Sequence, residues 1–237
     1  MQIDGWVLAA GTFFLGLGWF LLRFLRRCEE VSPADWGGSW HNRLAGMTVL
    51  FCRHFHRLPP DLLPLPAAGP VVVASNHVSG LDPLLLIAAS PRPLRFLIAR
   101  EEYERFGLTW LFHLAGCIPV DRSGRPERAL REALRVLGDG EVIAVFPHGK
   151  IHLDADPPRR IKGGAVRLAQ RAGCPILPLR VEGVRGEGHT LLAVLLRSRA
   201  WIRVFPPLDC QLLSEQDCLS QLTRILQGET TNGADSR

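Results

Sequence analysis

From residue 70 onward, short apolar runs alternate with longer stretches of helical periodicity, and this alternation limits the folds open to the chain more than any other feature. Runs at 71–75, 94–99, 117–120, 142–146, 176–181 and 201–205 have strand length and are rich in aliphatic side chains. Between them, 83–89, 102–114, 126–137, 164–172 and 215–226 carry helical patterns. Parallel strands cannot be joined by a tight turn, so strand–helix–strand alternation implies crossovers over a sheet. The expectation is an α/β domain with a largely parallel central sheet flanked by helices. Ser214, followed three residues later by Asp217, predicts the cap of the last helix.

Sites in open α/β sheets gather at the carboxyl ends of the strands. Polar clusters fall at three such ends. Ser75-Asn76-His77-Val78-Ser79-Gly80-Leu81-Asp82 follows the first strand, Asp121-Arg122 follows 117–120, and Pro147-His148-Gly149-Lys150 follows 142–146. A fourth stretch, Arg159-Arg160-Ile161-Lys162-Gly163-Gly164, opens the next helix. On a continuous helix, residues five apart are rotated by about 140° and share no face. His77 and Asp82 therefore meet only if a turn lies between them, which Gly80 permits. Two readings of the pair stand. In one, Asp82 is a helix N-cap ahead of Pro83, and His77 is a loop residue. In the other, Asp82 orients an imidazole that takes a proton from a substrate hydroxyl. Neither Ser75 nor Ser79 lies in a G-x-S-x-G elbow, and no second histidine has helical ligand spacing, so no metal is expected.

The N-terminus has a different character. Residues 5–22 form an 18-residue stretch without a charge, near the lower limit for crossing a bilayer, and Arg23, Arg26 and Arg27 follow at once. Asp4 precedes it where a secretory signal would carry positive charge, so a retained membrane element with the following chain on the cytoplasmic side is expected. A second segment, 36–58, mixes Leu44, Met47, Val49, Leu50, Phe51 and Phe55 with Arg43, Arg53 and Arg57. It suits an amphipathic helix at a membrane interface or a core helix of the globular part. The organisation read from these patterns is an N-terminal membrane-anchoring helical element at 1–58, a proline-rich linker at 59–69, a catalytic domain at 70–227 and a disordered tail at 228–237.

Composition narrows the partners. The net charge is +5, supplied mostly by arginine, which fits anionic lipid or phosphorylated substrates. A single Tyr and the lack of interleaved basic and aromatic residues argue against nucleic acid. The six cysteines form no C-x-x-C pair and are expected to be reduced, acting as small hydrophobes.

Asn76-His77-Val78-Ser79-Gly80-Leu81-Asp82 resembles the NH-x4-D motif of the glycerolipid acyltransferases, the lysophosphatidate (1-acyl-sn-glycerol-3-phosphate) O-acyltransferases among them. Gly116-Cys117-Ile118-Pro119-Val120-Asp121-Arg122 is similar to the second motif of that family, and Phe146-Pro147-His148-Gly149-Lys150 to the third, usually FPEGT. Ile161–Ala165 and Gly173–Leu179 resemble further blocks in the family's order. The resemblance implies acyl transfer from a thioester co-substrate, acyl-CoA or acyl-carrier protein, to a lipid hydroxyl, with no cofactor. It implies His77 as base and Asp82 as its partner, with Asn76 and Ser79 in support. Arg122, His148, Gly149, Lys150, Lys162 and Gly163 would hold the acceptor and its phosphate. It implies membrane lipid as partner and the cytoplasmic side of the inner membrane as the location. His148 and Lys150 stand where the family has Glu and Thr, which points to an altered acceptor or to different groups on the phosphate. A thioesterase and a non-catalytic lipid-binding relative are the competing readings.

Overall fold

All five residues of Val71-Val72-Val73-Ala74-Ser75 are buried, which a strand achieves only when both faces of its sheet are covered. The computed structural model describes residues 5–228 apart from 106, 108, 123, 125 and 158. In chain order its elements are α1 (Gly5–Val31), α2 (Ser39–His54), β1 (Val71–Ser75), α3 (Asp82–Ala89), β2 (Leu94–Ala99), α4 (Arg100–Tyr103), α5 (Thr109–Leu114), β3 (Ile118–Val120), α6 (Pro126–Gly138), β4 (Val142–Val145), α7 (Gly164–Ala172), β5 (Ile176–Glu182), α8 (Thr190–Leu195), β6 (Trp201–Val204) and α9 (Glu215–Leu226). The strands form one sheet in the order β3-β2-β4-β1-β5-β6. Every pairing is parallel except that of β6 with β5, so the largely parallel sheet is as expected. The register pairs Val73 with Ala144 on one side and Leu177 on the other.

Strand alternation sorts the core into two layers. Val71 and Val73, with Val142 and Ala144, face α2 and α3, joined there by Leu85, Leu86, Val49 and Cys52. Val72 and Ala74, with Ile143 and Val145, face α6, α7 and α9 through Ala133, Val166 and Leu222. Each fully buried aliphatic side chain contributes about 1.5–3 kcal/mol, so the central strands are the most stabilised part of the fold. Serine capping of α9 is present: Ser214 Oγ accepts from Asp217 N at 3.1 Å.

Several expectations are corrected. The pattern over 102–114 is two short helices, α4 and α5, with Gly107 between them at φ 80°. Helix α8 was not anticipated. Cys210 and Cys218 are joined in a disulfide between the β6–α9 connection and α9, while Cys28, Cys52, Cys117 and Cys174 are free and buried. The proline-rich stretch 59–69 lacks regular structure yet is pinned to the domain. Leu63 is buried and its N–H donates to Ala89 O, and Arg92 donates to the carbonyls of Pro66 and Gly69. Of the tail expected at 228–237, all but Gly228 lies outside the described residues.

The two readings of 36–58 resolve in favour of a core helix, since Val49 and Cys52 are fully buried against α3. Among the described residues no helix is long and apolar enough to cross a membrane, so a span over 5–22 is not borne out. Helix α1 does carry exposed Phe13, Phe14, Leu15, Trp19, Phe20, Leu21 and Leu22. It packs antiparallel on α2, where Arg43 pairs with Glu29 at 3.0 Å and Gly46 lies against the backbone of Cys28. A Cβ on Gly46 would stand 1.7 Å from the Cys28 carbonyl oxygen, so only glycine allows this approach. We expect Gly46→Val to force the two helices apart and to cost about 1–3 kcal/mol, the range of overpacked cores, in urea unfolding. An unchanged midpoint would show that α1 is not seated on α2 in solution.

Candidate active site

The chain leaves β1 at Ser75 and turns through residues 76–81 before α3 begins. Asp82, fully buried in the first turn of α3, points its carboxylate back into that turn. Oδ2 accepts from Val78 N at 2.7 Å and Ser79 N at 2.9 Å, and Oδ1 from Ser79 Oγ at 2.7 Å. The remaining contact is His77 Nδ1 at 2.8 Å from Oδ2. Asp82 is therefore not an N-cap of α3. Its partners are the turn and the imidazole. A carboxylate, an acceptor only, is the species that four such donors satisfy. With Asp82 ionised, Nδ1–H donates and the lone pair of Nε2 is left to meet a substrate proton. The His77 ring is about one-fifth exposed and stacks on Phe146, with centroids 4.3 Å apart.

Asn76 fixes the turn from the other side. Its Oδ1 accepts from Val181 N at 2.7 Å and its Nδ2 donates to Val181 O at 3.0 Å, so its side chain bonds β5 as a strand would. Gly80 serves a purpose other than the expected one. It is not among the glycines of positive φ, but a Cβ there would meet Thr190 O at 2.4 Å, so the residue is small to admit the start of α8.

A cationic group lies at the ends of β3 and β4. Arg122 Nη2 donates to Gly149 O, and a Cβ on Gly149, itself at φ 75°, would lie 3.0 Å from Lys162 Nζ. Burial first, then the charges of Arg122 and Arg159, hold the Lys162 pKa below the ordinary lysine range. Three cations so close are what an anion site needs. The structure thus brings Arg122, Gly149 and Lys162 together and adds Arg159, which lay within a quoted motif but was given no role. Gly163 follows as the N-cap of α7, and Lys150 is exposed. Lys150 and Lys162, both in these motifs, are the only lysines of the chain.

His148 is placed differently from a surface head-group contact. It is 2% exposed, neither ring nitrogen has a partner, and the ring stacks on His152 at 4.6 Å. The two rings line a cavity of about 140 Å³ with Asn76, Asp154, Asp156 and Gln227. Asp154 is held from behind by buried Arg180 at 2.6 Å, and His152 N donates to His77 O at 2.8 Å, which ties the cavity wall to the His77 turn. Among the described residues no group of three or more His, Cys, Asp or Glu side chains is disposed to hold a metal ion. The His148–His152 stack and the contact of Phe146 with His77 escaped sequence reasoning because ring stacking depends on how separate loops fold together, which no local pattern records.

Residues 61–182, just over half of the chain, match the Acyltransferase family, and the chain belongs to it. The likeness read from these motifs is thereby borne out. The chain is 37% identical over 125 residues to a probable 1-acyl-sn-glycerol-3-phosphate acyltransferase of Mycoplasma genitalium, covering 50% of this chain and 46% of that protein. It is 32% identical over 124 residues to the N-acylphosphatidylethanolamine synthase of Arabidopsis thaliana, covering 48% and 43%. The chain spans about half the length of these curated relatives. The crystal structure of the 1-acyl-sn-glycerophosphate acyltransferase of Thermotoga maritima shares the fold, with a TM-score of 0.59 at 20% identity over 94% of this chain and 91% of that one.

Burial, then the charges of His152, Arg159 and His77, push the His148 pKa down to about 4. The native state keeps this ring neutral where an unfolded histidine, near 6.5, takes a proton. Stability should therefore fall as pH drops from about 6.5 to about 4 and gain no further loss from this group below that. The contribution is on the order of 3 kcal/mol at most. His148→Phe keeps the stack and should flatten that slope in denaturant titrations at successive pH values. An unchanged slope would mean that His148 is solvated.

Proposed function

We propose that the protein transfers a fatty acyl group from a thioester donor, acyl-CoA or acyl-carrier protein, to the free hydroxyl of 1-acyl-sn-glycerol-3-phosphate. The observation that carries this reading is the His77–Asp82 pair, aligned at 2.8 Å with Nε2 left over, at the same sheet end as an arginine–lysine anion site. Nε2 takes the hydroxyl proton while the oxygen attacks the thioester carbonyl carbon. The carbon–sulfur bond then breaks and the imidazolium returns its proton to the departing thiolate, giving ester and free thiol. The substrate brings its own nucleophile, so no serine or cysteine need be acylated. Asp82 stabilises the transient imidazolium and holds the tautomer. Arg122 and Lys162, with Arg159, grip the acceptor phosphate. The exposed apolar stretch of α1, followed by Arg23, Arg26 and Arg27, lies in a membrane interface with the catalytic domain on its cytoplasmic side.

A second acceptor class has a specific observation behind it. The third motif carries buried His148 in place of the family's glutamate, and one of the relatives is named N-acylphosphatidylethanolamine synthase. An amine acceptor uses the same base and thioester.

His77→Ala should lower kcat by about 10²–10⁴-fold, the contribution of a positioned base. Arg122→Ala should chiefly raise the KM for a phosphate-bearing acceptor. Labelled acyl-CoA offered with lysophosphatidate, other lysolipids and phosphatidylethanolamine separates the two acceptors. Full turnover by His77→Ala, or release of free fatty acid without any acceptor, would overturn the transfer mechanism.

A further inference from the structure

Helix α8 is built inside out for a protein in water. Ala193 is fully buried, whereas Leu191 and Leu195 are 70% and 72% exposed and Leu192 is also exposed. Folding in water places the larger aliphatic side chains inward, so a two-turn helix that buries an alanine and presents three leucines has an apolar medium on its outer side. Arg185 precedes the helix, and Arg197 and Arg199 follow it, all exposed. The one acidic residue of 183–200, Glu187, lies in the field of Asp154 and Asp82. Burial first, then those charges, raise its pKa above the ordinary carboxylate range.

Helix α8 also sits at a particular pole. It follows the carboxyl end of β5, and the segment leading into it is bonded to the catalytic turn. Gly188 N donates to Val78 O at 2.9 Å, and Thr190 fills the space beside Gly80. The segment after it is bonded to the end of α2, where Ala200 N donates to His56 O at 2.9 Å. Because α1 runs antiparallel to α2, with Cys28 opposite Gly46, the first half of α1 passes beyond that same end of α2. At 1.5 Å per residue the overhang is about 20 Å. The exposed apolar face of α1, the leucines of α8 and the His77 turn thus share one end of the molecule.

We propose that α8 is a second membrane contact, its leucines entering the outer part of an anionic phospholipid monolayer while Arg185, Arg197 and Arg199 meet the head groups. Apolar insertion and basic residues at the rim are the two components of interfacial binding. This deepens the reading of α1 as an interfacial helix and rests on it. Two contacts flanking the His77 turn fix the tilt of the domain, so that the catalytic imidazole faces the layer holding the acceptor. A protein partner covering α8 is the alternative that the test excludes or reveals.

The experiment uses the full chain and phosphatidylcholine vesicles with and without phosphatidylglycerol. Leu195→Cys, labelled with an environment-sensitive fluorophore, should shift to the blue on adding vesicles, the native free cysteines being buried. Leu191→Glu/Leu195→Glu should weaken vesicle partitioning by about 10-fold. It should also leave turnover of a monomeric short-chain acceptor without vesicles within about twofold of wild type, since neither leucine is part of the catalytic turn. Arg197→Ala/Arg199→Ala should lose the added binding that phosphatidylglycerol confers. A label that stays in water while the protein is vesicle-bound, or wild-type partitioning of the double glutamate variant, would overturn the proposal. Absent turnover in every form, wild type included, would count against the acyl-transfer reading, and the vesicle measurements would still decide the role of α8.

Discussion

One buried carboxylate holds the arrangement together. Asp82 collects two backbone amides, a hydroxyl and an imidazole within about one turn of chain, and each bond closes the loop that brings the others into range. A charge without solvent is costly unless fully bonded, so the turn around Asp82 cannot loosen by degrees. That requirement makes His77 an oriented imidazole rather than a freely rotating surface histidine. It also lends the neighbouring Ser79 a structural task, since its hydroxyl both donates to Asp82 and accepts from Leu81 N.

Around this turn the parallel sheet sets direction. Five strands pointing the same way deliver their loops to one end, so β1 supplies His77, β3 Arg122, β4 Gly149 and β5 the backbone that Asn76 grips. The same polarity explains why α8, hung from the end of β5, touches the His77 turn. The cost of crowding appears as glycine at positions 80 and 149, where Thr190 and Lys162 occupy the space of a side chain.

Much of the scaffold was legible in the order of residues. Strands 71–75 and 94–99 and helices 164–172 and 215–226 match the structure at both ends, because the strands read as short, largely apolar runs and the two helices carry clear stripes and end signals. The helix over 102–114 was too long because periodicity passes over a glycine whose backbone turns left-handed. Helix α8 went unseen because six residues with leucines facing outward resemble neither an amphipathic helix of a soluble core nor a strand. The cysteine pair was missed for a related reason, since a spacing of eight residues indicates proximity only after a loop has folded back.

The sequence alone determined the α/β class, the polar clusters at strand ends and the family. These depend on local periodicity and on motifs whose parts lie within a few residues of one another. Tertiary structure decided that Asp82 reaches back instead of capping its helix, that His148 is shut away behind Asn76, and that α2 belongs to the core. It also decided that α8 lies beside the His77 turn. Each of those facts depends on distance between segments far apart in the chain, and burial and close approach are properties of packed neighbours that no single segment carries.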